Sequence, residues 1–330
     1  MAPGVSAATA PFSRNSGIIM ASPLPKTFRI ALWATNIAHP LKGIEDWAAM
    51  VEAQMAEVAA AGARLLMMPE YAAEQWLSFA PPALTPQDEI PWMAAQSATA
   101  FDAIRDLPAK HKVALLAGTM PVPLESSRQE AGNAAPWLNR AWLLLPDGRA
   151  IAQDKLCLTP AEKDPESWNL STGHRLQLVT WEGIRIAVVI CLDVELPALA
   201  AKLAPARPDL ILVPSQTGSL AGYHRVFSCA RARAVELQSA VAVCGTVGAA
   251  AYGRERAGTI SGCSLFLPCE ERLGSHGRAA EIAPVGRHDS CGPLLLADIP
   301  LAALDALRGG EAEVWPGAWD AAHVDVVEVK

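Results

Sequence analysis

What is missing from this sequence narrows its chemistry before any motif is read. No uninterrupted apolar run approaches the roughly 18 residues that a membrane span requires, although 51% of the chain is apolar. The chain is therefore read as soluble, with no membrane partner. It has no Lys/Arg run and no basic stripe interleaved with aromatics, and its formal charge is −7, so nucleic acid is excluded as a partner. The seven cysteines (Cys157, Cys191, Cys229, Cys244, Cys263, Cys269 and Cys291) contain no C-x-x-C pair, are odd in number and lie mostly in apolar stretches. That pattern suits reduced thiols in a cytoplasm. Zinc is unsupported, because the seven histidines stand at no ligand spacing to one another or to the cysteines. Residues 1–27, rich in Ala, Pro and Ser, lack a positively charged start followed by an apolar segment. They read as a disordered leader and not as a secretory signal, with Met20 as an alternative start.

What is present is a repeated exchange of strand and helix patterns. RIALWA (29–34) is a short buried-strand run, after which Trp47, Met50, Val51, Met55 and Val58 recur at helical spacing. Glu45 and Asp46 in the first turn suit the helix dipole, and Gly62 supplies the stop. A second strand run, ARLLMMP, places Glu70 just past its C-terminal end. A helix at 92–106 and a strand at 113–119 follow, then a hairpin about Pro146-Asp147-Gly148 that ends at Lys155. Another hairpin, about Glu182-Gly183, delivers Cys191 at the end of IRIAVVIC. A helix near 195–204, the strand DLILVPS, a helix at 223–238, the strands AVAVCGTV and SGCSLFLP, a Gly-rich loop over 270–292 and a last strand into ALDALR complete the chain. Strands alternate with helices while neighbouring strands pair as hairpins, which predicts an α/β fold of mixed sheets with helices outside. Residues 28–308 are read as one domain and 309–330 as a tail, whose Trp315, Pro316 and Trp319 suit an arm packed on a partner subunit or a plain surface tail.

Glu70, Lys155 and Cys191 each fall at the end of a predicted buried strand, where α/β folds place their ligand sites. A cysteine thiol is mostly protonated near neutral pH and needs a base or a cation beside it to become a nucleophile. Glu70 can take that proton, and Lys155 can stabilise the thiolate and then the oxyanion, together with the backbone N–H of Leu192. Such chemistry requires no metal and no cofactor. Taken singly, each residue has a bland reading as an inert packed thiol, a turn carboxylate or a solvated surface cation. Cys229 and Cys244 stay in that inert class.

Taken together, MMPEYAAEQW, QDKLCLTPAEKD and VVICLDVELP resemble, in order and spacing, the Glu, Lys and Cys signatures of the nitrilase (carbon–nitrogen hydrolase) superfamily. AEVAAAGARLLMMPE, ARARAVELQSAVAVCGTVG, SGCSLFLP and ADIPLAALDALR resemble its flanking segments, so the resemblance covers about residues 28–308. It implies an α-β-β-α sandwich that dimerises, or assembles further, with itself. It also implies Glu70 as general base, Lys155 as oxyanion stabiliser, Cys191 as nucleophile and Glu162 as a second glutamate that orients the lysine. The chain departs from the pattern at Leu192, where an aromatic is common, at Ala201 and Lys202, where an arginine is common, and at G-T-V-G after residue 244, where an Asn-Arg pair is common.

Residues expected to border the pocket are Tyr71, Glu74, Trp76, Trp168, Asp193, Glu195, Thr217 and His224, most of them scaffold. Asp193 and Glu195 are expected to hold the turn behind Cys191, and Arg231, Arg233 and Glu236 to pair along a helix face. The context C-L-D-V-E-L-P resembles the amidase-like branch more than the C-W-E-N of true nitrilases. A small amide-like substrate is therefore expected, with nitrile or N-carbamoyl hydrolysis as alternatives. A non-catalytic binding member is the alternative of another class. A papain-like Cys–His protease is weak, since no C-G-x-C-W context surrounds Cys191.

Overall fold

The computed structural model describes residues 25–125, 135–250, 258–313 and 323–328. Most of the expected leader, and Trp315, Pro316 and Trp319 of the expected arm, lie outside the described residues. Among the described residues no helix is long and apolar enough to cross a membrane.

Two six-stranded mixed sheets are formed, each with parallel strands at its centre and antiparallel strands at its edges. The first contains β1 (Phe28–Trp33), β2 (Leu65–Met68), β3 (Ala114–Pro123), β4 (Trp137–Leu144), β5 (Ala150–Asp154) and β12 (Leu294–Ile299), in the order β12-β1-β2-β3-β4-β5. The second contains β6 (Leu178–Trp181), β7 (Ile184–Val188), β8 (Leu210–Ser215), β9 (Ala240–Gly245), β10 (Ser261–Phe266) and β11 (Arg278–Val285), in the order β11-β10-β9-β8-β7-β6. β1, β2 and β3 run parallel in one sheet, and β7, β8 and β9 do so in the other. Parallel strands need crossovers: the helices α1 (Ile44–Ala60) and α2 (Glu89–Ile104) lie on those that join β1, β2 and β3, the short α5 (Pro197–Leu203) on that between β7 and β8, and α6 (Leu220–Leu237) on that between β8 and β9. The described residues also form the short α-helices α3 (Leu107–His111), α4 (Pro160–Lys163) and α7 (Leu301–Ala306).

Alternation along the strands sets the layers. On β1, Ile30 and Leu32 face the second sheet and join Leu65, Met67, Ile186 and Leu212 in the central core. Ala31 and Trp33 point the other way, against Trp47, Val51, Met55 and Val58 of α1 and Ile90 and Met93 of α2. Strands buried on both faces carry continuous apolar runs, which is why these segments read as short apolar blocks. Each large α1 side chain buried this way contributes about 1.5–3 kcal/mol. Tyr223, Val226, Phe227, Ala230 and Ala234 of α6 cover the outer face of the second sheet. The result is the expected α-β-β-α sandwich.

Several elements differ from the sequence reading. β11 lies inside the stretch read as a Gly-rich loop, because RAAEIAPV is half-exposed at a sheet edge and lacks the buried apolar run that marks the inner strands. α6 begins three residues earlier than expected, where the Ser219 hydroxyl accepts from Gly222 N at 3.1 Å as N-cap. β3 continues to Pro123, paired with β4 across a register shift between Leu116 and Thr119. A buried arginine closes the C-terminal end: Arg308 pairs with Asp209 and donates to the carbonyls of Gln238 and Pro208.

Candidate active site

Glu70, Lys155 and Cys191 are separated by 85 and 36 residues along the chain, and the fold joins them at the ends of β2, β5 and β7. Lys155 Nζ lies 2.7 Å from Glu70 Oε1 and 2.8 Å from both oxygens of Glu162. All four residues are buried, each less than one-tenth exposed. Such a cation is tolerable inside a protein only with its partners in place, and here two carboxylates surround it.

Local structure fixes each member. Glu70 is held by two further donors, Asn139 Nδ2 to Oε1 at 3.0 Å and Gln216 N to Oε2 at 3.0 Å. The turn beneath it is pinned by Thr119, whose hydroxyl accepts from Tyr71 N at 2.8 Å and whose N–H donates to Pro69 O at 3.2 Å. Gly118 adopts a positive φ of +69°, and a Cβ there would overlap the Pro69 carbonyl oxygen. Glu162 has two tasks. In the capping box T-P-A-E its Oε2 accepts from Thr159 N at 2.8 Å, while the same carboxylate grips Lys155.

Cys191 sits at φ 48° and opens a 3-10 turn, Cys191–Glu195. The N–H of Leu192 is one of the first-turn amides that such a helix leaves without an internal partner. The turn is tied down by the Asp193 carboxylate, which accepts from Ile190 N at 3.2 Å, Leu156 N at 3.2 Å and Cys157 N at 2.8 Å. Asp193 thereby links the turn that begins at Cys191 to the segment that carries Lys155. The Cys191 sulfur lies 3.4 Å from Ser215 Oγ and 3.6 Å from Gln216 O.

The electrostatics follow from burial and crowding. Burial pushes the Cys191 thiol up to about 12, the Glu70 carboxylate adds to the rise, and Lys155 opposes it. Burial also raises Glu70, against the pull of the Lys155 cation. For Lys155 burial works against the charge, but Glu70, Cys191 and Glu162 outweigh it, so it stays protonated. Burial pushes Asp193 up to about 6, against the three N–H groups that favour its charge. The resting site therefore holds a neutral thiol, an ammonium and a carboxylate of increased basicity.

The expected pocket residues divide. Tyr71 and Trp168 adjoin the buried cluster: Tyr71 donates to Glu162 Oε1 at 3.1 Å, and Trp168 packs edge-on against its ring at 4.6 Å. Thr217 is bonded twice to Ile260, its carbonyl accepting from Ile260 N at 2.9 Å and its Oγ1 donating to Ile260 O at 2.7 Å, beside a cleft of about 760 Å³ lined by Asn36, Thr259, Ile260 and His288. Trp76 is not a pocket residue; it is fully buried in the helix layer, edge-on to Trp47 at 5.4 Å, because the 3-10 helix Ala72–Phe79 turns it away. His224 is not one either. It lies on the exposed face of α6, in a groove with Tyr223 and Arg278, since Tyr223 and Phe227 take the inward face. Glu74 is buried, and Glu195 pairs with Arg225 at 2.7 Å. Arg233 pairs with Glu236 as expected and also donates to Val194 O at 3.2 Å, whereas Arg231 donates to His276 O at 2.5 Å.

Asn139, Ser215 and Gln216 were missed from sequence. Asn139 had a signal, as the one uncharged polar residue within the strand WLNRAWLLL. Among the described residues no group of three His, Cys, Asp or Glu side chains could hold a metal ion.

A family model described as carbon-nitrogen hydrolase matches residues 29–293. A probable hydrolase, YhcX, of Bacillus subtilis (strain 168) is 28% identical over 245 residues, covering 73% of this chain and 44% of that protein. An (R)-stereoselective amidase of Pseudomonas sp is 33% identical over 102 residues, covering 30% of this chain and 35% of that protein. The chain thus spans less than half the length of these curated relatives. Among solved structures, an amidase from Nesterenkonia sp. superposes with a TM-score of 0.62 at 20% identity, covering 89% of this chain and 97% of that one. Nit3 of Saccharomyces cerevisiae, a nitrilase-superfamily member, gives 0.63 at 20% identity, covering 91% and 100%.

Proposed function

The chain belongs to the carbon–nitrogen hydrolase family, and from that premise we propose that it hydrolyses a small amide to a carboxylate and ammonia or an amine through a thioester on Cys191. The observation that carries this reading is the single buried cluster in which Lys155 bridges Glu70 and Glu162 beside the Cys191 thiol.

The Cys191 sulfur attacks the carbonyl carbon as Glu70 removes the thiol proton, so that no free thiolate need accumulate. The new oxyanion is met by the Lys155 ammonium and the Leu192 N–H, donors already in place before charge develops. Glu70 returns its proton to the departing nitrogen, the C–N bond breaks, and a thioester remains. Water then attacks the thioester carbonyl, Glu70 takes the water's proton, and collapse expels the sulfur, which recovers that proton as the acid leaves. Glu162 and Asn139 do not exchange protons in this scheme; they hold Lys155 and Glu70 in register. The protein is further read as a cytoplasmic homodimer.

The test is ammonia release from a panel of primary amides, N-carbamoyl compounds and nitriles, with Cys191→Ala in parallel. Release from amides that disappears in the variant supports the reading. Release from nitriles alone moves the substrate class, and release undiminished in Cys191→Ala overturns the mechanism.

A further inference from the structure

Gln216 follows β8 and touches both reacting groups through its backbone. Its N–H donates to Glu70 Oε2 at 3.0 Å, and its carbonyl oxygen lies 3.6 Å from the Cys191 sulfur. The positions on either side are clamped, Ser215 by the sulfur at 3.4 Å and Thr217 by its two bonds to Ile260. The backbone of Gln216 is therefore fixed beside the place where a scissile carbonyl must sit. Its side chain has no such anchor: Nε2 is buried and has no hydrogen-bond partner. A buried amide nitrogen with no acceptor is costly, and the cost is relieved by any oxygen that arrives beside it. Gln216 as a whole is only part-buried, so a ligand can reach the residue, and the buried nitrogen meets it when the unanchored side chain turns.

We propose that Gln216 is a specificity-determining residue whose side-chain amide donates to a second oxygen on the acyl side of the substrate, selecting amides that carry a hydroxyl, carbonyl or carboxylate close to the scissile carbonyl over plain aliphatic amides. The scissile oxygen itself is already provided for by Lys155 and Leu192, which leaves the Gln216 donor for another acceptor. A site that offers a buried donor rejects the analogue lacking its partner, because the donor is then left unpaired in the complex. This inference rests on the proposed amide site but is testable by binding alone.

The experiment uses matched ligands that differ in one acceptor: lactamide against isobutyramide, and succinamate against pentanamide. Binding is measured by calorimetry on the full chain carrying Cys191→Ala, with and without Gln216→Met or Gln216→Glu, and ammonia release is followed on the Cys191 protein. The oxygen-bearing member of a pair should bind about tenfold or more tightly than its partner. Gln216→Met should erase that ratio, and Gln216→Glu should reverse it for succinamate by repulsion. Thermal midpoints should not fall in Gln216→Met, since an unpaired buried donor has been removed. A ratio lost on substitution without any hydrolysis by the Cys191 protein would retain Gln216 as the ligand donor and refute the proposed reaction instead. A ratio near one in the Gln216 protein, a ratio unchanged in Gln216→Met, or no binding of any ligand would overturn the inference.

Discussion

Replacing Lys155 by methionine isolates the electrostatic design of the site. The side chain is similar in length and apolar, so little volume is lost, but the ammonium 2.7 Å from Glu70 and 2.8 Å from Glu162 disappears. Two carboxylates, 1% and 2% exposed as residues, are then left buried without a cation between them. Breaking a buried ion pair from one side costs about 3–5 kcal/mol, and that range is expected for Lys155→Met at pH 8. Part of the loss should be recovered in acid. Without the cation at least one carboxyl has a folded-state pKa raised further above its unfolded value, so the folded state binds a proton that the unfolded state does not. Stability then grows as pH falls through the raised pKa and levels off near the unfolded value. The Glu70 carboxyl of the Lys155 protein is raised in the same direction by burial, but the lysine holds the rise down. The gap between the two proteins should therefore narrow by about 1–3 kcal/mol between pH 8 and pH 5.5, at about 1.4 kcal/mol per pH unit per proton. Urea denaturation followed by circular dichroism at the two pH values measures it. A gap below about 1 kcal/mol, or one independent of pH, would show that the lysine does not neutralise the two glutamates.

Other consequences can be checked separately. Glu70→Gln keeps the shape, but its amide accepts at only one end, so its NH2 is set against either the Lys155 ammonium or the Gln216 N–H; the thermal midpoint should fall modestly while kcat/KM for an amide falls by about 100-fold or more. Because burial raises Glu70, the acid limb of the kcat/KM profile should lie above the ordinary carboxylate range, with activity lost as pH falls through it. Asp193→Ala strands the N–H groups of Ile190, Leu156 and Cys157, at about 1–3 kcal/mol for each one left buried; a melting temperature unchanged in that variant would contradict its role as a tie. Gly118→Ala forces a side chain against the Pro69 carbonyl in a left-handed backbone, so kcat should fall through displacement of Glu70, and kinetics at saturating amide would reveal an intact site if it does not.

The layered architecture was legible because buried parallel strands write themselves as apolar blocks, and the hairpins about Pro146-Asp147-Gly148 and Glu182-Gly183 announce their turns. β11 was not legible, since an edge strand half-covered by α6 has no reason to be apolar. The Glu, Lys and Cys positions were singled out by their places at strand ends together with the resemblance of their segments to a known family, and the fold brings the three side chains together. Their supports could not: Asn139, Ser215 and Gln216 act through contacts across 69, 24 and 146 positions of the chain, and no local pattern records such distances. Trp76 and His224 failed as pocket residues for a related reason, because proximity in sequence to Glu70 or to the end of β8 does not say which face of a helix a side chain occupies. A helix presents neighbouring residues on opposite sides, and packing decides between them.

The central claim is a covalent acyl group on Cys191. Rapid acid quench of the protein with an amide that it hydrolyses, followed by intact mass and peptide mapping, tests it directly. The account predicts a mass gain equal to the acyl group less one hydrogen, confined to the peptide containing Cys191 and absent in Cys191→Ala. Steady hydrolysis with no adduct at any quench time, together with undiminished turnover in Cys191→Ala, would contradict it.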